Sequence, residues 1–135
     1  MHAALQDAAR KAGLSALIEQ KGWDYRCGEN GNQLSGGEKQ RVALARSILQ
    51  GTDVLFFDEV TSALDAKTGH QIMETIQNMT GQTRIVITHD IYPDLMDSFD
   101  AVLVLRDGQL AEAGTFTDLM EKQGICYHLV NKHIS

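Results

Sequence analysis

Two short apolar runs set the frame of this chain. Val54-Leu55-Phe56-Phe57 is bounded by Asp53 and Asp58, and Ile85-Val86-Ile87 runs into Thr88-His89-Asp90. Neither is long enough for a helix of its own, and an unbroken apolar run is the pattern of a strand buried on both faces. Between them, Asp65 is placed to cap a helix carrying Ile72, Met73, Ile76 and Met79 and closed by Gly81, with both methionines as core residues. Strand, helix, strand in this order predicts an α/β protein with a largely parallel sheet.

The elements on either side fit that frame. Residues 3–18 have helical apolar spacing interrupted by Gly13, which predicts two short helices. Residues 22–33 gather glycines and asparagines around Trp23 and Tyr25, the composition of an ordered loop with aromatic anchors. Pro93 suits the start of a short helix. Asp107-Gly108, between Ala101–Leu105 and Gln109–Ala111, is a hairpin signal. Gly114-Thr115 opens a helical region at Phe116–Met120, and a last helix is expected from Ile125 to Asn131.

The stretch Leu34-Ser35-Gly36-Gly37-Glu38 opens a strongly amphipathic helix, which continues through Val42, Ala43, Leu44, Ala45, Ile48 and Leu49 to Gly51. Ser35 with Glu38 three residues on is a capping-box spacing, so Ser35 is the expected N-cap and Gly36 and Gly37 the first helical residues. Glycines permit close approach to the backbone, the first N–H groups of a helix lack partners, and the dipole there favours an anion. Phosphate is the natural guest; a plain, well-capped helix start is the alternative reading.

Composition narrows the class. The 135 residues carry a formal net charge of -6 and are 43% hydrophobic, enough for a core, with no basic block that would footprint a nucleic acid. Cys27 and Cys126 form no Cys-x-x-Cys pair and read as free thiols. No apolar run reaches the length of about 20 residues a membrane helix needs, and the N-terminus has no signal-peptide pattern, so the chain is expected to be soluble.

Ligands of parallel α/β sheets collect beyond the carboxyl ends of the strands. Here those ends carry Asp58-Glu59 and His89. An aspartate so placed can hold Mg²⁺, the adjacent glutamate can orient or deprotonate a water, and the histidine can bond a γ-phosphate or that water. Helix capping by the acids and a structural histidine are the alternatives for each residue taken singly.

Taken together these motifs resemble the ATP-binding-cassette (ABC) ATPases. Leu34 to Glu38 resembles the family's signature motif, Val54 to Asp58 with Glu59 its Walker B strand and catalytic glutamate, Ser62-Ala63-Leu64-Asp65 its D-loop, and Thr88-His89-Asp90 its switch histidine. Phe99 to Gly108, with Glu112 to Thr115, resembles its C-terminal hairpin. Gly28-Glu29-Asn30-Gly31 resembles the Gly-Glu-x-Gly loop of exporters, which contacts the coupling helices of the transmembrane domain; Gly22-Trp23-Asp24 resembles the aromatic turn before it. The competing subtype is the ABC-F translation factors, which usually carry Thr-Asn-His-Leu-Asp where this chain has Thr61 to Asp65.

The resemblance implies a partial P-loop NTPase fold: a mainly parallel sheet with flanking helices and a C-terminal hairpin. Residues 1–52 would belong to the helical subdomain and 53–135 to the ATPase core. Val60 and Phe116 depart from the usual family residues without touching this chemistry. No Gly-x-x-x-x-Gly-Lys-Ser/Thr occurs, so the Walker A loop is absent from these residues. In the family its strand lies between the one ending at His89 and the one at Ala101–Leu105, which would leave two sheet edges unpaired, to be closed by local rearrangement or by association with another copy.

Family roles, carried over position by position, make Glu59 and His89 catalytic and Asp58 the Mg²⁺ residue. Ser35, Gly36, Gly37, Glu38 and Asp65 would serve ATP across a head-to-tail pair with a second nucleotide-binding domain. The whole would be an ATPase on the cytoplasmic side of a membrane exporter. The chain alone, lacking Walker A, is expected to be inactive.

Overall fold

The computed structural model describes residues 2–134. It divides into two compact units, Met1–His89 and Asp90–Ser135.

In the first unit, α1 (His2–Lys11) and α2 (Ser15–Lys21) are separated at Gly13, and α3 spans Gly36–Gln50. Gly13 and the α3 C-cap Gly51 both take positive φ, 72° and 62°. Strand β1 (Val54–Asp58), helix α4 (Ala66–Gln77) and strand β2 (Thr83–Ile87) form the expected crossover, and β1 pairs in parallel with β2, Phe56 opposite Ile85 and Asp58 opposite Ile87. α3 packs against both α1 and α4. The core contains Ala8, Ala9, Ala12, Leu14, Leu44, Ala45, Leu55, Phe57, Ile72, Met73, Ile76 and Met79, so Met73 of α4 and Met79 just beyond it are both packing residues.

Two expectations need correction. β1 and β2 are not buried on both faces: Leu55 and Phe57 point into the core, whereas Val54, Phe56, Ile85 and Ile87 are exposed, Phe56 by 68%. Alternation along a strand sends successive side chains to opposite faces, and in this unit the helices cover only one. Helix α4 also stops earlier than Gly81, with Asn78 as its C-cap. There Arg84 of β2 donates to the Ile76, Gln77 and Met79 carbonyls, satisfying acceptors that a helix end leaves open.

In the second unit, α5 (Pro93–Met96) precedes β3 (Val102–Arg106) and β4 (Gln109–Gly114), an antiparallel hairpin turning through Asp107 and Gly108 at φ 51° and 75°. Positive φ at both turn residues is the geometry an Asp-Gly hairpin turn requires. Thr115 caps α6 (Phe116–Lys122), and α7 (Ile125–Ile134) follows. Val104, Phe116, Leu119, Cys126 and Val130 form this unit's core. Glu112 of β4 accepts from the backbone N–H groups of Ile125 and Cys126 at 2.8 and 2.9 Å, capping α7 from outside the helix. Both cysteines are free, as expected.

Candidate functional site

The site assembles at the carboxyl ends of β1 and β2. Asp58 is the last residue of β1 and is exposed. Glu59 follows at φ 47°, a left-handed conformation uncommon for a non-glycine residue, and its N–H donates to Ile87 O at 2.8 Å. This bond carries the ladder one residue past the strand and swings the Glu59 side chain toward the end of β2. His89 lies two residues beyond β2, and its Nδ1 is 3.2 Å from Glu59 Oε1, both side chains being more than half exposed. The two residues picked out separately from the sequence therefore meet.

The start of α3 is built as its sequence predicts. Ser35 Oγ accepts from the Glu38 N–H at 3.2 Å, and Glu38 Oε2 accepts from the Ser35 N–H at 2.8 Å, a complete capping box. Gly36 is exposed and Gly37 buried. Asp65 caps α4, its two carboxylate oxygens taking the Thr68 N–H at 3.0 Å and the Thr68 hydroxyl at 2.7 Å. These bonds, the hydroxyl first, hold the Asp65 carboxyl below the ordinary carboxylate range.

Gly28, Asn30 and Gly31 all have positive φ around a 3₁₀ turn at Glu29–Gly31, which leaves Glu29 and Asn30 exposed. Tyr25 anchors this loop, its hydroxyl bonding Lys21 Nζ and Gln33 Oε1, both at 3.2 Å. Trp23 is exposed, its ring 6.2 Å from that of His2.

The structure adds Arg41, which donates to Ala12 O at 3.4 Å and Gln71 Oε1 at 3.2 Å, tying α3 to the end of α1 and to α4. Nothing in local spacing marks it, because both partners lie about 30 residues away. Thr68 was legible in principle as the residue three beyond an N-cap aspartate. A cavity of about 540 Å³ lies elsewhere, at the amino ends of β1 and β2 around Asp53, Asn78 and Gln82.

A parallel pair with acids and a histidine at its carboxyl ends, together with the capped starts of α3 and α4, defines part of a P-loop NTPase fold. The ABC transporter family matches residues 2–62. The ATP-dependent lipid A-core flippase of Alcanivorax borkumensis is 38% identical over 98% of this chain and 23% of its own length. ABC transporter B family member 13 of Arabidopsis thaliana is 39% identical over 93% of this chain and 10% of its own. A solved bacterial Atm1-family ABC exporter with ATP bound superimposes on the entire chain, which covers 24% of it, with a TM-score of 0.85 and 36% identity. The chain belongs to the ABC transporter family and is a partial nucleotide-binding domain of the exporter type. It spans about a quarter or less of the length of these relatives.

Proposed function

We propose that these residues form the signature, Walker B, D-loop and switch portion of an ATPase that drives a membrane exporter. The observation carrying this reading is the meeting of Glu59 and His89 at the ends of adjacent parallel strands. Phosphoryl transfer is mainly positioning and electrostatics. Glu59 orients and polarises the water that attacks the γ-phosphorus, the bond to the ADP oxygen breaks, and His89 holds both Glu59 and the γ-phosphate.

Among the described residues no three side chains of metal-binding type converge. Mg²⁺ is usually held by one or two carboxylates plus substrate phosphates rather than by a full protein cage. Asp58 is the residue placed to hold it, and when bound the ion neutralises charge on the phosphate oxygens.

Ser35, Gly36 and Gly37, braced by Glu38, face an ATP held by a second nucleotide-binding domain, and Asp65 communicates across that junction. Residues 1–52 serve as part of the helical subdomain and 53–135 as part of the ATPase core. The exposed Gly28–Gly31 loop meets the transmembrane domain on its cytoplasmic side. No described helix is long and apolar enough to cross a membrane. None of the three relatives above is a translation factor, which favours the exporter reading over ABC-F.

Without a phosphate loop, the 135-residue chain by itself neither binds ATP tightly nor turns it over. The test is an ATP turnover assay on the isolated chain and on the complete transporter. Activity only in the latter, abolished by Glu59→Gln, is expected; turnover by the isolated chain that Glu59→Gln removes would refute the inactivity, and an insensitive complete transporter would refute the role of Glu59.

A further inference from the structure

The two glycines at the start of α3 are not equivalent. A Cβ on Gly37 would lie 2.5 Å from Thr68 Cγ2, closer than real Cβ contacts come, and a Cβ on Gly36 would lie 3.1 Å from Leu64 Cδ2. Gly37 is buried, so its missing side chain makes room for α4 rather than for a ligand; Gly36 stays exposed. The first turn of α3 is therefore seated on residues 64–68. The same Thr68 that fills the Gly37 notch with its methyl binds both oxygens of Asp65 with its hydroxyl and backbone N–H. Threonine alone carries a methyl and a hydroxyl on one Cβ: serine keeps only the second, and valine keeps the shape without the hydroxyl.

We propose that Thr68 is a positioning residue that locks the anion-facing start of α3 to Asp65, so that the two parts presented to a partner's nucleotide are held in one fixed geometry. This rests on the ATPase reading above. Thr68 need not touch ATP; it acts by holding Asp65 with one group and Gly37 with the other. A change in either contact shifts one part of the presented surface against the other, and displacements of this kind cost turnover steeply.

The test measures ATP hydrolysis by the complete transporter carrying these residues. Thr68→Val should lower kcat about tenfold with KM for ATP changed less than about twofold, while Thr68→Ser should lose less than about threefold. Gly37→Ala should be far slower than the parent, and adding Thr68→Ser, which removes the obstructing methyl, should restore about tenfold of the loss. Thermal unfolding of each variant separates misfolding from misplacement, and the rescue readout stands even if Gly37→Ala is unstable alone. A Thr68→Val enzyme at parental kcat, or a double variant no faster than Gly37→Ala, would overturn the proposal. Glu59→Gln is the parallel control: if it leaves turnover intact, the ATPase reading itself falls and this inference with it.

Discussion

His89 Nδ1 lies 3.2 Å from Glu59 Oε1, joining the residue after β1 to the residue two beyond β2. The pair exists because a parallel register brings Asp58 opposite Ile87, and Glu59 extends that pairing through its own N–H. In the complete transporter, Glu59→Gln is expected to reduce kcat by about a hundredfold or more, and His89→Ala by a smaller factor, since it leaves the carboxylate in place. Non-additive losses in the double variant, read from steady-state turnover, would mark the two as one unit.

The one-sided burial of β1 gives a stability contrast between adjacent residues. Phe57 is 6% exposed and Phe56 68% exposed. In the 135-residue chain, Phe57→Ala is expected to cost about 3 to 4 kcal/mol and Phe56→Ala less than about 1 kcal/mol. Urea unfolding of the two variants checks this; equal losses would mean that the outer face of the strand is covered.

The capping box of α3 is a separable contribution. Ser35→Ala removes the acceptor for the Glu38 N–H, and a loss of about 1 kcal/mol is expected. Glu38→Ala frees the Ser35 N–H, and because the two bonds are reciprocal the double variant should lose less than the sum. A double-mutant cycle followed by thermal unfolding decides it.

Glu112 makes the second unit acid-sensitive. The Cys126 and then the Ile125 backbone N–H groups hold its carboxyl below the ordinary value of 4.5. A depressed folded value means that its stabilisation is fully present above the unfolded carboxyl range and is lost as pH falls through the folded value. Amide hydrogen exchange at the start of α7 should therefore accelerate on acidification, and Glu112→Gln should flatten that dependence. Gly124→Ala should mimic low pH at neutral pH, because a Cβ there collides with the Glu112 carboxylate.

Most of the element order and the candidate residues of the site were legible in local sequence. Ser35 and Glu38, Asp107 and Gly108, and the apolar runs each act through neighbours a few residues away, so spacing alone sets the capping box, the hairpin turn and the strands. The α/β frame and the candidates Asp58, Glu59 and His89 followed from where those strands end. Three-dimensional packing decided the rest. Local sequence gives an apolar run no sign of whether a second layer covers it, so Phe56 and Ile85 face outward although their run reads as fully buried. Gly37 and Thr68 lie 31 positions apart, beyond the reach of any spacing rule, and only the docking of α3 on α4 turns Gly37 inward. What the sequence determined was which residues are candidates for the chemistry; what the fold decided was which of them touch, because contact between distant residues depends on how whole elements pack.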